Sequence, residues 1–353
     1  MEGRAAVGGR QGAPIVSTEL HEPADVRKDA GLENAWNGRT AGLILAAAVL
    51  FTILAVRSQS FLSPYTMEVI SRQMAFFALI ALSQAVCLVL GGMNLSVGAI
   101  GSFATVILGL CMDNAGMSGW LAVPIVLAVG AAAGMLDGLL ITRLKIDSFI
   151  VTISMMFVFM GLRSGISGGA PYRLPESFTI VGQRDLLGVP YVFLVSVAVL
   201  ILASVMYRRT VFGRQMLATG GNATGAYLSG VRTDRLTVWA YAISGLLAAL
   251  AAVLWASKLG SAAPETGDAW LIVSFAVAII GGTGLSGGTI SAFGIFMGAA
   301  IFMLIKHGLV EVKANDYYAN SFLGALILLA ILVDRAREEY GKRSEARERR
   351  GAR

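Results

Sequence analysis

The sequence predicts an all-α, polytopic membrane protein, and three observations carry that reading. Of 353 residues, 56% are hydrophobic and 14% charged, where a soluble domain carries about a quarter charged residues. Mean hydropathy is +0.71. The apolar residues fall into ten stretches of 15 to 23 residues, close to the length a helix needs to cross a bilayer. The 42 glycines suit close helix–helix approach in lipid, where small residues take over from the hydrophobic effect.

Taken in order, residues 1–39 are polar without period and are expected to form a disordered tail. No signal-peptide core precedes Ala41. Spans are expected at 40–56, 68–90, 95–112, 120–142, 149–166, 189–207, 236–257, 269–287, 290–306 and 319–333, making 40–334 one transmembrane domain. A polar segment, 167–188, separates the fifth and sixth spans, and a basic loop, 208–235, separates the sixth and seventh. Residues 335–353 form a charged tail. With the N-terminus inside, twenty Lys and Arg fall on inside segments and six on outside ones. Lys and Arg are retained on the cytoplasmic side, so both termini and the 208–235 loop are expected there.

Several function classes drop out. There is no Gly-x-x-x-x-Gly-Lys-Ser/Thr sequence and no nucleophile with a placed base, so no enzyme is expected and no ATP site in this chain. Cys87 and Cys111 fit neither a metal spacing nor a disulfide framework, and with His21 and His307 far apart no metal site is expected. In the expected topology the two cysteines lie at opposite ends of their spans. The positive charge has no interleaved aromatic patch, so nucleic acid is not an expected partner.

Polar residues within spans are costly and mark pathways or interhelical contacts. The candidates are Gln84, Asn94, Ser96, Asp137 and Ser286, with glycine hinges at Gly91-Gly92 and Gly281-Gly282. The hinges sit in an internal echo: GGMNLSVGAIGSF (91–103) and GGTGLSGGTISAF (281–293) agree at 7 of 13 places. Two related helical hairpins around one pathway are expected, as in repeat-built transporters. Asn94 and Asp137 fall at similar depth near the basic end, and their side chains are expected to meet directly or through one water. The competing reading pairs Asp137 with Arg143.

In the central loop, Asn222 is placed to cap a short helix whose Ala226, Leu228 and Val231 would face a partner protein. Here a family resemblance enters. Gly220-Gly221-Asn222, Ala226 and Leu228-Ser229-Gly230-Val231 resemble the loop signature of ABC sugar permeases of the ribose/xylose type. The likeness continues through Ser244-Gly245-Leu246-Leu247-Ala248, Ser261-Ala262-Ala263-Pro264, and the two glycine hinges, 91–98 and 281–288. It implies an ABC importer permease fold whose central loop docks on a separate ATPase subunit, which binds the ATP. It also implies a second permease copy, identical or not, and an extracytoplasmic sugar-binding protein; lipid surrounds the assembly. Many relatives carry the acid at the first hinge and the amide in the fourth span, whereas this chain has Asn94 and Asp137-Gly138. Many also carry acids where Trp270-Leu271-Ile272-Val273 stands here. The substrate expected is a monosaccharide or polyol; the alternatives are a branched-chain amino acid, a nucleoside, or an ion-coupled secondary transporter.

Overall fold

The computed structural model describes residues 24–311 together with Ser321, Gly324, Ala325 and Leu328. The chain divides into two units, Met1–Ala41 and Gly42–Arg353. What is described of the first is helical and opens α1 (Ala24–Arg57). The tail expected to be disordered is therefore helical from Ala24 onward, just after Pro23, a residue suited to a helix start. Residues 1–23, the tenth span (apart from four isolated positions) and the 335–353 tail lie outside the described residues.

In the second unit the helices alternate in direction between two ends, which we name the loop end (carrying 208–235) and the opposite end. α2 (Pro64–Leu88) begins where Ser63 Oγ accepts the Thr66 amide at 3.2 Å with Pro64 in the first turn. It is buried almost continuously from Met74 to Val89 and packs on α3 (Val97–Gly109), α7 (Tyr191–Arg209), α10 (Thr233–Leu259), α11 (Trp270–Ile280) and α12 (Ala292–Glu311). A π-turn, Leu110–Asn114, extends α3. α4 (Gly119–Leu144) and α10 form the closest crossing: Gly130, Gly134 and Gly138, one turn apart, face Gly245, Tyr241 and Val238. A methyl at Gly134 would overlap the Tyr241 carbonyl, and one at Gly245 the Gly130 carbonyl, so lost van der Waals contact is what any side chain would cost here. α5 (Ser148–Ser167) starts with Asp147 Oδ1 accepting the Phe149 amide at 2.8 Å and stops at Gly168, φ +60°.

Eight described helices are long and apolar enough to cross a membrane. The expected eighth span, 269–287, is shorter than read: α11 has 11 residues, a rise of about 16 Å, and the chain leaves the helix at Gly281-Gly282. The polar 167–188 segment is folded. It holds β1 (Tyr172–Arg173), α6 (Glu176–Gln183) and β2 (Asp185–Leu186); β2 pairs with β3 (Val189–Pro190), and β1 pairs with β4 (Ser261–Ala262). These two-residue strands are local clasps on an all-α fold.

Candidate functional site

At the loop end, α2 stops where Gly91 takes φ +78°, and residues 92–96 run unwound into the bundle before α3 restarts. Backbone groups released from a helix inside a membrane protein must find other partners, and here three helices, α2, α5 and α10, supply them. Ser148 Oγ accepts the Met93 amide and Thr152 Oγ1 the Leu95 amide, each at 3.1 Å. Tyr241 Oη donates to the Met93 carbonyl at 2.9 Å. With its amide turned to match donors to acceptors, the Gln84 side chain donates to the Asn94 carbonyl at 2.7 Å and accepts the Asn94 amide at 3.2 Å.

The Asn94 side chain completes the cluster. Its Nδ2 donates to Ser244 Oγ at 2.9 Å, and its Oδ1 accepts the Ser96 amide at 3.0 Å. The Ser96 hydroxyl sits between Asn94 Oδ1 (2.6 Å) and Asp137 Oδ2 (2.5 Å). Ser83 Oγ donates to the Ser244 carbonyl at 2.8 Å and closes the far side. Gln84, Asn94, Ser96 and Asp137 are all 0% exposed. The expected meeting of Asn94 and Asp137 is thus mediated, neither direct nor through water: a protein hydroxyl stands between them. Arg143 is exposed, and the hydrogen bond of Asp137 goes to Ser96. In this packing the four residues fasten the hinge.

The second glycine motif lies at the same end, after α11. Gly281 packs flat on α12, where its Cβ would lie 2.8 Å from the Gly294 carbonyl. Gly282, Gly287 and Gly288 all have positive φ, and the chain stays non-helical until Ala292. Ser286 is exposed.

The central loop holds two helices where one was expected: α8 (Val211–Gly221) and α9 (Ala223–Leu228). Thr210 caps α8 through its Oγ1 on the Gly213 amide at 3.1 Å, and Asn222 caps α9 through Oδ1 on the Gly225 amide at 2.9 Å. Ser229 Oγ closes the far end of α9 on the Gly225 carbonyl, and Gly230 turns the chain at φ +84°. Ala226, expected to face outward, is buried at 7%; Tyr227 and Leu228 are 68% and 79% exposed. The outer face of this six-residue helix is the pair Tyr227 and Leu228, set between arginine-bearing helix ends.

Residues 66–331 match the family model described as branched-chain amino acid transport system, permease component. The chain belongs to this permease family. The permease is 33% identical over 297 residues to the ribose import permease protein RbsC of Bacillus subtilis, covering 83% of this chain and 92% of that one. It is 30% identical over 299 residues to the autoinducer 2 import system permease protein LsrC of Photorhabdus luminescens, covering 84% and 89%. No solved structure matches it significantly.

Two arginines whose role the sequence did not disclose shape the opposite end of the permease. Arg72, on α2, donates to the carbonyls of Gly182 (2.8 Å) and Gln183 (2.6 Å) and pairs with Asp185 and Glu68 at 2.8 and 2.7 Å. Arg163, on α5, holds the Pro264 carbonyl at 2.6 Å and Asp268 at 2.5 Å. Each ties a loop at that end down to the bundle. The available signal was a lone arginine within a few turns of a span end, with acids in the neighbouring loops.

Proposed function

We propose that this chain is the membrane-spanning subunit of an ABC importer for a monosaccharide or related polyol, with its loop end in the cytoplasm. The observation that carries the reading is the capped, outward-facing α9 in a chain similar over most of its length to import permeases for ribose and autoinducer 2. A separate ATPase docks at Tyr227 and Leu228, a second permease copy completes the passage, and an extracytoplasmic binding protein delivers the cargo. The chain itself catalyses no reaction and binds no ATP. The excess of Lys and Arg in 208–235 and the two tails supports the orientation.

An uncharged, hydroxyl-rich solute suits these spans, because Arg72 and Arg163 are already paired and Asp137 is bonded inside the hinge cluster. The family description favours a second reading, a branched-chain amino acid. An ion-coupled carrier is favoured less, since Asp137 is the one buried acid among the described residues and coupling uses charges at mid-membrane.

The test is uptake by proteoliposomes holding this chain with its ATPase and binding protein. Labelled ribose, other pentoses and hexoses, and leucine are offered with and without ATP. ATP-dependent sugar uptake indifferent to collapse of ion gradients is expected. Leucine uptake alone moves the substrate to the second reading, and uptake that needs an ion gradient sinks the class.

A further inference from the structure

Three glycine motifs far apart in sequence meet at one atom. The carbonyl oxygen of Val89, at the last turn of α2, accepts the Gly288 amide at 2.8 Å. Gly220, at the end of α8, lies against the same carbonyl so closely that a Cβ there would overlap it and would stand 2.5 Å from the Gly288 nitrogen. Gly287, at φ +87°, fills the remaining space: its Cβ would fall 2.9 Å from both the Gly220 carbonyl oxygen and the Gly91 nitrogen. Gly288, at φ +76°, faces Gly221, with its Cβ position 3.1 Å from the Gly221 Cα. Four segments, namely the end of α2, the first hinge, the second hinge and the end of α8, are thus in backbone-to-backbone contact with no side chain between them.

Long side chains absorb a displacement by changing rotamer, whereas close-packed backbone has low compressibility and passes strain on. We infer that Gly220, Gly287 and Gly288 are positioning residues for transport: they join the central loop to both hinges, so that movement imposed on α9 reaches α2 and the two hinges together. This rests on the reading of α9 as the ATPase contact. The chain of parts is short. Asn222 is both the C-cap of α8 and the N-cap of α9, so the two helices share one residue and Gly220 lies two positions from it. The neighbouring Gly221 marks the contrast, since a Cβ there meets nothing within 4 Å. Within one Gly-Gly-Asn motif, one glycine is enforced by contact and the next is not.

The experiment uses the full transporter in proteoliposomes and compares wild type, Gly220→Ala and Gly221→Ala. Co-purification with the ATPase, basal hydrolysis, stimulation by the loaded binding protein, and uptake are each measured. Gly220→Ala is expected to co-purify and to keep basal hydrolysis while stimulation and uptake fall about tenfold or more, the scale of an overpacked contact. Gly221→Ala is expected to stay within about twofold of wild type, as uncrowded positions do. Equal stimulation in Gly220→Ala and wild type overturns the inference alone. A wild-type complex that does not respond to its binding protein overturns the functional reading and this inference with it.

Should Gly220→Ala not fold, wild type still decides. Hydrogen exchange is followed in peptides covering 86–92, 216–222 and 284–290, with and without vanadate trapping. Protection that changes in all three together supports the junction, and change in the loop peptide with the hinge peptides unmoved overturns it.

Discussion

The two hinges share one sequence frame and are built in opposite ways. In the first, Asn94 and Ser96 turn inward and side chains of α2, α4, α5 and α10 bond to the unwound stretch. In the second, the place of Asn94 is taken by Gly284, and its hydroxyls serve the segment itself: Thr289 Oγ1 accepts the Gly284 amide at 3.2 Å and Ser291 Oγ the Gly294 amide at 2.9 Å. Where the first copy resumes helix at Val97, the second carries Gly287 and Gly288 at positive φ and resumes five residues later in register. Ser96 even forgoes capping α3, its hydroxyl being engaged by Asn94 and Asp137. The difference teaches that a repeat keeps the place where a chain unwinds, while the residues around it decide whether that point is fastened by buried side chains or by backbone packing.

The largest effect is expected from making the first hinge resemble the second. Asn94→Gly removes three side-chain hydrogen bonds and leaves the Ser96 amide buried without its acceptor. Interhelical bonds in membrane proteins average about 0.6 kcal/mol and reach ~1.7, so a loss of about 2–4 kcal/mol is expected. Thermal unfolding in detergent should show a clear drop in Tm, with uptake lost. A melting curve unchanged from wild type would mean that the fastening is ornamental.

A smaller effect sharpens the same contrast through the exchanged acid and amide. The Ser96 hydroxyl faces an acceptor oxygen on each side, and one acid plus one amide supply those two oxygens in either order, so the bridge tolerates Asn94→Asp and Asp137→Asn when they are combined better than when each is made alone. The expected coupling is about 0.5–1.5 kcal/mol by double-mutant cycle, the range for residues in one network, read as Tm and as uptake. The coupling should disappear in a Ser96→Ala background. Coupling that persists there would mean that Asn94 and Asp137 communicate without the hydroxyl.

How much of this was legible in the sequence follows from what each element depends on. Spans are set by local hydropathy, so α2, α3, α4, α5, α7 and α10 fell close to their expected places. The hinges were marked by Gly-Gly pairs and the α9 cap by Asn222, both local signals. Tyr241 and Ser148 were not found, because a tyrosine in an apolar span and a serine at a span start carry no mark of the distant carbonyl and amide they serve. The direction of Ala226 was misjudged because Tyr227 sits beside it and six residues give too short a window for periodicity. The meeting of Gly220, Val89 and Gly288 depends on tertiary approach of segments up to about 200 residues apart, which spacing cannot encode.

The smallest effect is expected at Thr283, and it tests the second hinge directly. Thr283 occupies the place of Met93 in the repeat. It is 1% exposed, and its hydroxyl has no hydrogen-bond partner among the described residues. In the first hinge, removing a polar group breaks bonds that exist. At Thr283 the same operation removes a group that is already unpaired, and an unpaired buried hydroxyl costs about 1–3 kcal/mol relative to a paired one. Valine has the same branching and nearly the same volume, so Thr283→Val replaces the hydroxyl without opening a cavity. Thr283→Val should therefore be at least as stable as wild type, by up to about 1 kcal/mol, read as an equal or higher Tm. Sugar uptake should persist, because the backbone bond from the Thr283 amide to Ala278 at 3.0 Å is untouched. If Thr283→Val is instead destabilised as much as Asn94→Gly, the second hinge is fastened through this hydroxyl and the contrast between the two hinges fails.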